Sequence, residues 1–346
     1  MRLAITGAGS LGTIIGALIT KNGGDPVLID INEDHVRTLN DRGATITGEL
    51  DLTVPVRAIT PDQMTGTYDV VLYVVKQYDN DKALEQLLPH IGPTSVVCTL
   101  QNGLPEEAVA RVVGKERTIG CTVCWGATWM GPGVSMLTSP VDTMGFDVGE
   151  LDGAMTERLG SLASILGLVC PTTMTRNLAG IRWAKLLANA AYSGMASVIG
   201  STMGEVLRHP KAALCAAHIA NETISVSRAL GIAMEPVAGQ DFTGLAFENK
   251  EELAEALVLH QTFWGPQEAL KPSMLQDLEK GKRCEINAIN GIVSAWGRKV
   301  KVLTPVNDWV VEIVRGIEDG LYKPGFGHLD RITPPNIPGS DHGGAS

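Results

Sequence analysis

Two groups of residues in this sequence have the types and spacing that chemistry needs. The first is Gly7-Ala8-Gly9-Ser10-Leu11-Gly12, a G-x-G-x-x-G run. In such a run the first glycine allows a tight turn and the second lets the backbone approach a pyrophosphate. The third lets a helix lie close to a strand, and the helix start offers free N–H groups and a partial positive charge to phosphates. Glycine is common here, 39 of 346 residues, so the run alone is weak. Its setting strengthens it. An apolar strand at 2–6 precedes it, a helix at 11–21 follows, and a second strand at 26–30 ends in Asp30, 18 residues beyond Gly12. A carboxylate at that place accepts hydrogen bonds from ribose hydroxyls. Gly7, Gly9, Ser10, Leu11, Gly12 and Asp30 are therefore expected to hold a dinucleotide. No Arg or Lys follows Asp30 (Ile31-Asn32-Glu33-Asp34), which favours NAD, with NADP possible.

The second group is Lys185, Asn189 and Ser193. Spaced i, i+4 and i+8, they fall on one face of a helix expected over 182–198. Spacing alone reads as a solvated helix face, yet Lys185 stands among apolar residues, between Trp183-Ala184 and Leu186-Leu187. Other polar residues have simple structural readings. Glu285 opens an expected helix (285–299), where the dipole favours an acid, and Ser273 follows Pro272 as a cap would. His218 reads as a packed helix residue. His260 and Trp264, in LVLHQTFWG, read as core that borders on a pocket. The six cysteines are scattered in apolar runs and read as buried thiols; Cys121-Thr-Val-Cys124 has no second pair at zinc-site distance, and no metal site is expected.

The elements that must position these groups change character along the chain. Strand and helix alternate in the first half. The run YDVVLYVVK (68–76) is apolar on both faces, as a central parallel strand is, and SVVCTL (95–100) repeats the pattern before Pro105 opens a helix. Short strands are expected within 126–149 and a helix over 151–168. The second half carries helical patterns at 182–198, 210–230, 250–260 and 285–299 with few strand signals. The expected class is α/β: an N-terminal Rossmann, doubly wound parallel sheet over 1–175, followed by an all-helical domain for substrate and dimerisation over 176–332. A Pro/Gly/Ser-rich segment over 333–346 is expected to be a disordered tail.

Composition narrows the function. A formal net charge of −10 makes a nucleic-acid partner improbable on electrostatic grounds. With 44% hydrophobic residues the chain can bury real cores. No apolar run reaches the roughly 18 residues of a membrane span, and Met1-Arg2 leads straight into the first strand; no membrane partner and a cytoplasmic protein are the expectation.

Motifs along the chain resemble, in order, those of the ketopantoate reductase (2-dehydropantoate 2-reductase) family. The matches are Val75-Lys76 at a strand end, Gln101-Asn102-Gly103, the W-x-K-x-x-x-N of Trp183, Lys185 and Asn189, Ser273-Met-Leu-Gln-Asp277, Glu285 with Asn290-Gly291, and Thr304-Pro-Val-Asn307. They cover the chain to about residue 325. The resemblance implies hydride transfer from a nicotinamide to the ketone of a 2-keto acid, ketopantoate to pantoate in pantothenate biosynthesis, with an R product. It implies Lys185 as general acid and Glu285 as its catalytic partner. Asn102, Asn189, Ser193 and Ser273 would bind substrate, Lys76 and Asn102 would sit at the cofactor, and a homodimer is possible. An ammonium beside a ketone oxygen stabilises the charge that arrives with hydride and can donate the proton. The sequence departs from the family at Asp30, where a basic residue often follows the second strand, at Ser193, where a second asparagine is common, and in a long aromatic segment at 239–271. Two other functions are kept open: an NAD-dependent (R)-2-hydroxyacid dehydrogenase acting on other branched or aromatic 2-keto acids, and a non-catalytic nucleotide sensor.

Overall fold

The computed structural model describes residues 1–337, which divide into two compact units, Met1–Leu178 and 179–337. The first unit opens with β1 (Leu3–Thr6), α1 (Ser10–Lys21), β2 (Pro26–Ile29) and α2 (Glu33–Arg42). Next come β3 (Ala44–Gly48), β4 (Leu52–Val54), β5 (Arg57–Ile59), β6 (Tyr68–Tyr73), α3 (Asn80–Leu87), β7 (Ile91–Thr99) and α4 (Glu106–Val113). It closes with β8 (Thr118–Val123), β9 (Ala127–Gly131), β10 (Val134–Leu137), β11 (Phe146–Glu150), α5 (Glu157–Leu166) and β12 (Thr172–Met174).

These strands form an eight-stranded sheet, β12-β11-β8-β7-β6-β1-β2-β5, and a four-stranded sheet, β4-β3-β10-β9. In the larger sheet β5, β2, β1, β6, β7 and β8 are parallel, and β11 runs against β8. The doubly wound parallel sheet expected from the alternation is therefore present. Strands β1, β6 and β7 are apolar on both faces because helices cover both faces: one core includes Ile5, Ile15, Leu28, Leu72 and Cys98, the other Ala4, Val71, Tyr73, Val97 and Val109. Helix α1 presses onto β2 through Gly16, where a Cβ would lie 2.7 Å from Leu28 Cδ1.

The strands at 44–59 were not expected: each is only three to five residues long, and the smaller sheet depends on pairing β3 with the distant β10. The helix expected from 151 starts at Glu157. Gly153 turns the chain at φ +77°, and the Thr156 hydroxyl accepts the Leu159 N–H as cap.

The second unit is helical: α6 (Leu178–Ala188), α7 (Met195–Ile199), α8 (Met203–Arg208), α9 (Pro210–Ala229), α10 (Lys250–Trp264), α11 (Ser273–Glu279), α12 (Asn290–Val300) and α13 (Pro305–Glu318). A π-helical turn, Asn189–Gly194, joins α6 to α7, so the helix expected over 182–198 is longer and interrupted. The helix expected from Glu285 begins at Asn290, and Glu285 lies in the turn before it, its carbonyl accepting from Ala288 and Ile289 N–H. Of the segment expected as a tail, residues 333–337 form no helix or strand, and Ile337 packs against Ala217, Phe247 and Ala256; residues 338–346 lie outside the described residues. Among the described residues no helix is long and apolar enough to cross a membrane.

Leu28 is fully buried between α1 and the sheet. Leu28→Ala is expected to lower the unfolding free energy by about 2–5 kcal/mol, read from urea denaturation midpoints.

Candidate active site

In the first unit the expected cofactor residues converge at the C-terminal ends of adjacent strands β2, β1, β6 and β7. Gly7 turns at φ +87°, and a Cβ on it would sit 2.7 Å from Val75 N. The turn therefore lies against the backbone just before Lys76. A Cβ on Gly12 would meet the Gly7 carbonyl at 2.4 Å, with Ile5 Cγ2 at 3.4 Å; the turn's own carbonyl, before the strand, is what requires that glycine. Gly9 has open space around the missing Cβ and is the N-cap of α1, with Ser10 and Leu11 opening the helix. Gly7 and Ala8 N–H both donate to the Ile29 carbonyl, at 2.9 and 3.1 Å, which ties the turn to the end of β2. Asp30 follows, its Oδ1 accepting Asn32 N–H at 2.9 Å.

Lys76 and Asn102 are brought together by a network the sequence did not announce. Gln101 Nε2 donates to Val75 O at 2.6 Å and to Asn80 Oδ1 at 2.7 Å, Thr99 Oγ1 donates to Gln101 Oε1, and Gln77 Nε2 donates to Asn102 O. Buried Tyr73 donates to Asn80 Oδ1 at 3.2 Å, and burial pushes its phenol far above the usual range. These bonds lock the strand-end turns after β6 and β7 to one another. A glycine cradle without Cβ atoms, a helix N-terminus and a strand-end carboxylate suit a nicotinamide dinucleotide.

In the second unit, Lys185, Asn189 and Ser193 form the half-open strip of an otherwise buried rod. Over residues 181–199 only these three and Ala188 are partly exposed; all others are buried. The π turn also straightens the strip. In an α-helix four residues overshoot a 3.6-residue turn, so an i, i+4, i+8 row drifts round the axis. A π turn, with i→i+5 bonds, takes more residues, so four fall short and undo that drift. Helix α11 packs beside the π turn and carries exposed Ser273 at its first position. Glu285 is buried, in the turn that leads to Asn290.

The π turn is held from behind. Asn290 Nδ2 donates to Ala190 O and to Asn307 Oδ1, both at 3.0 Å. Asn307 Nδ2 and N–H donate to Glu222 Oε2 at 2.7 and 3.0 Å, and Val306 N–H donates to Oε1 at 2.9 Å. Glu222 thus caps α13 and anchors a buried chain that ends on the π turn. Burial pushes its carboxyl up to about 7, against the pull of these three donors. Tyr192, also in the π turn, bonds its hydroxyl to His260 Nδ1 at 2.6 Å and packs on Trp264, which stacks on Phe242. Burial pushes His260 down to about 4, so its imidazole is neutral. His218 is likewise packed, edge-on to Phe247. Sequence reasoning found His260 and Trp264, but Glu222 carried no signal beyond polarity in apolar surroundings, and Asn80, between Asp79 and Asp81, carried none. The six cysteines are free thiols, and among the described residues no three His, Cys, Asp or Glu side chains group as a metal site.

A dinucleotide cradle on a doubly wound sheet and a lysine strip on a buried helical rod define a nicotinamide-dependent oxidoreductase. Two family models match the chain, "Ketopantoate reductase PanE/ApbA" over residues 3–151 and "Ketopantoate reductase PanE/ApbA C terminal" over 177–318. The chain belongs to the ketopantoate reductase family. The 2-dehydropantoate 2-reductase of Streptococcus pyogenes serotype M3 is 27% identical over 322 residues, covering 92% of this chain and 98% of the relative. That of Archaeoglobus fulgidus is 28% identical over 322 residues, covering 92% and 99%. Among solved structures, a ternary complex of D-mandelate dehydrogenase with NADH and anilino(oxo)acetate superposes with a TM-score of 0.81 at 24% identity, covering 93% and 99% of the two chains, a likeness of fold.

Glu222 is neutral more readily when folded than when unfolded, about 7 against 4.5. Its contribution is fully present below pH 4.5 and is lost as pH rises through 7. Wild-type stability, measured against Glu222→Gln by urea unfolding, is expected to fall by about 3 kcal/mol between pH 4.5 and 8. A difference that stays flat across that window contradicts the raised value.

Proposed function

We propose that this protein reduces the ketone of a 2-keto acid of the ketopantoate class to the (R)-2-hydroxy acid. Gly7, Gly9, Ser10, Leu11, Gly12, Asp30, Lys76 and Asn102 hold the cofactor in this reading. When bound, the nicotinamide supplies the hydride that the carbonyl carbon accepts. Lys185 places its ammonium at the carbonyl oxygen, offsets the negative charge that develops there and donates the proton. Glu285 orients Lys185. Asn189, Ser193 and Ser273 orient the substrate by hydrogen bonds. The observation that carries the reading is the half-open strip: a lysine, an amide and a hydroxyl form the one partly accessible row in residues 181–199. A pure nucleotide sensor needs no such row. The helical unit is accordingly the substrate unit, and a homodimer formed through it is part of the same proposal, tested by sedimentation of the purified chain.

The cofactor is NAD in this reading, because the Asp30 carboxylate binds ribose hydroxyls and repels a 2′-phosphate. A second substrate class has its own support. Tyr192, the residue before Ser193 in the π turn, packs in a buried aromatic cluster with His260, Trp264 and Phe242, which supports a reading toward branched or aromatic 2-keto acids.

Lys185→Ala is expected to lower kcat by about 10²–10⁴-fold while the dissociation constant for NADH stays within twofold, measured by steady-state kinetics and calorimetry. Normal turnover would overturn the assigned proton donor. A panel of 2-keto acids, ketopantoate and phenylglyoxylate included, assayed with NADH and NADPH, tests the rest. NADH is expected to give the higher kcat/KM, and Asp30→Arg to move the preference toward NADPH.

A further inference from the structure

One fully buried imidazole lies behind the dinucleotide turn, and no step above uses it. His35 is in the first turn of α2 with no exposed surface. Its Nδ1 accepts the backbone N–H of Gly133 at 2.8 Å. Its Nε2 lies 2.6 Å from the carbonyl oxygen of Ala8, inside the G-x-G-x-x-G turn, and 3.2 Å from Thr13 Oγ1. Thr13 Oγ1 itself donates to Ala8 O at 2.7 Å. The backbone N–H of His35 donates to the side chain of Asn32, two residues after Asp30. The Trp129 ring meets the imidazole edge-on at 4.6 Å.

These partners leave one protonation state. A backbone N–H can only donate, so Nδ1 is an acceptor; a carbonyl can only accept, so Nε2 carries the hydrogen. An imidazolium would turn a second N–H toward the Gly133 N–H. Thr13 has spent its hydrogen on the same carbonyl. The Ala8 carbonyl is therefore held by two donors from behind, and the Gly7–Ala8 peptides are held by the Ile29 carbonyl. Fixing these peptides fixes where the following N–H groups of the α1 start point.

We propose that His35 is a positioning residue for the cofactor: as the neutral Nε2–H tautomer it ties together the phosphate turn at Ala8, the Asn32 cap beside Asp30 and the β9–β10 hairpin at Gly133. It sets the affinity for the dinucleotide without touching it. The phosphate cradle is thus held through the imidazole of a residue whose backbone N–H carries the Asn32 cap beside the ribose carboxylate. The proposal rests on the dinucleotide reading of residues 7–12.

Calorimetry of NADH binding to the full chain and its variants tests it. Wild-type protein binds NADH. His35→Ala, which leaves the Ala8 carbonyl and the Gly133 N–H without their partner, is expected to weaken binding about tenfold or more. His35→Gln, whose amide can donate to Ala8 and accept from Gly133, is expected to recover most of the loss. Wild-type protein that binds neither NADH nor NADPH would sink the dinucleotide reading itself. Wild-type binding with an unchanged His35→Ala, or with no recovery in a folded His35→Gln, would sink the role of His35 alone. Should His35→Ala fail to fold, ¹⁵N-histidine spectra of the wild-type protein decide. They are expected to show His35 as the neutral Nε2–H tautomer from pH 6 to 8 with and without NADH. A Nδ1–H tautomer or an imidazolium there would overturn the proposal.

Discussion

Everything in the first unit depends on how closely the turn after β1 approaches the end of β6. At Gly7 the approach is so tight that a single methyl group would overlap Val75 backbone nitrogen. Only glycine, at positive φ and with no Cβ, permits it. That contact brings Lys76 to the same sheet edge as the cradle, and the Gln101–Val75 and Gln77–Asn102 bonds then bring the end of β7 to it. Parallel order does the rest, since neighbouring parallel strands deliver all their C-terminal loops to one edge. His35 acts from behind on the same turn, with its two ring nitrogens holding main-chain groups that lie far apart in sequence.

The second unit solves a different problem. Its candidate residues lie on a helix buried nearly all round, and a helix so buried has few ways to present a polar row. The π turn supplies one. It leaves the Ala190 carbonyl to bond the Asn290 side chain, and it realigns Ser193 with Lys185. The network behind it is buried and rooted on a carboxyl, and Glu222 is tolerated there because three N–H groups meet it. Such an arrangement costs desolvation and returns a fixed geometry.

The departures from a standard family site fall in two places with separate physical roles. Asp30 follows β2 in the first unit, at the position proposed to bind the ribose. Ser193, in the lysine strip, and the packed aromatic residues Tyr192, Trp264 and Phe242 belong to the second unit. In the proposed reading, cofactor choice and substrate choice fall on different units.

The sequence by itself determined what local pattern can determine. Alternating apolar strands and helices gave the doubly wound sheet, the glycine spacing gave the cradle, and ordered motifs around Lys185, Ser273 and Glu285 pointed to the family. Helix and strand periodicity and glycine's backbone freedom are properties of neighbours in the chain, so they are legible there. Tertiary structure alone decided the rest. The π turn at Asn189–Gly194, the start of α12 at Asn290 rather than Glu285, and the smaller sheet joining Ala44–Gly48 to Val134–Leu137 all depend on partners about 90–100 residues away. So do the roles of His35 and Glu222, whose hydrogen-bond partners at Gly133 and Asn307 stand 98 and 85 residues away. A polar side chain in an apolar segment announces that it needs a partner; only the folded chain supplies one.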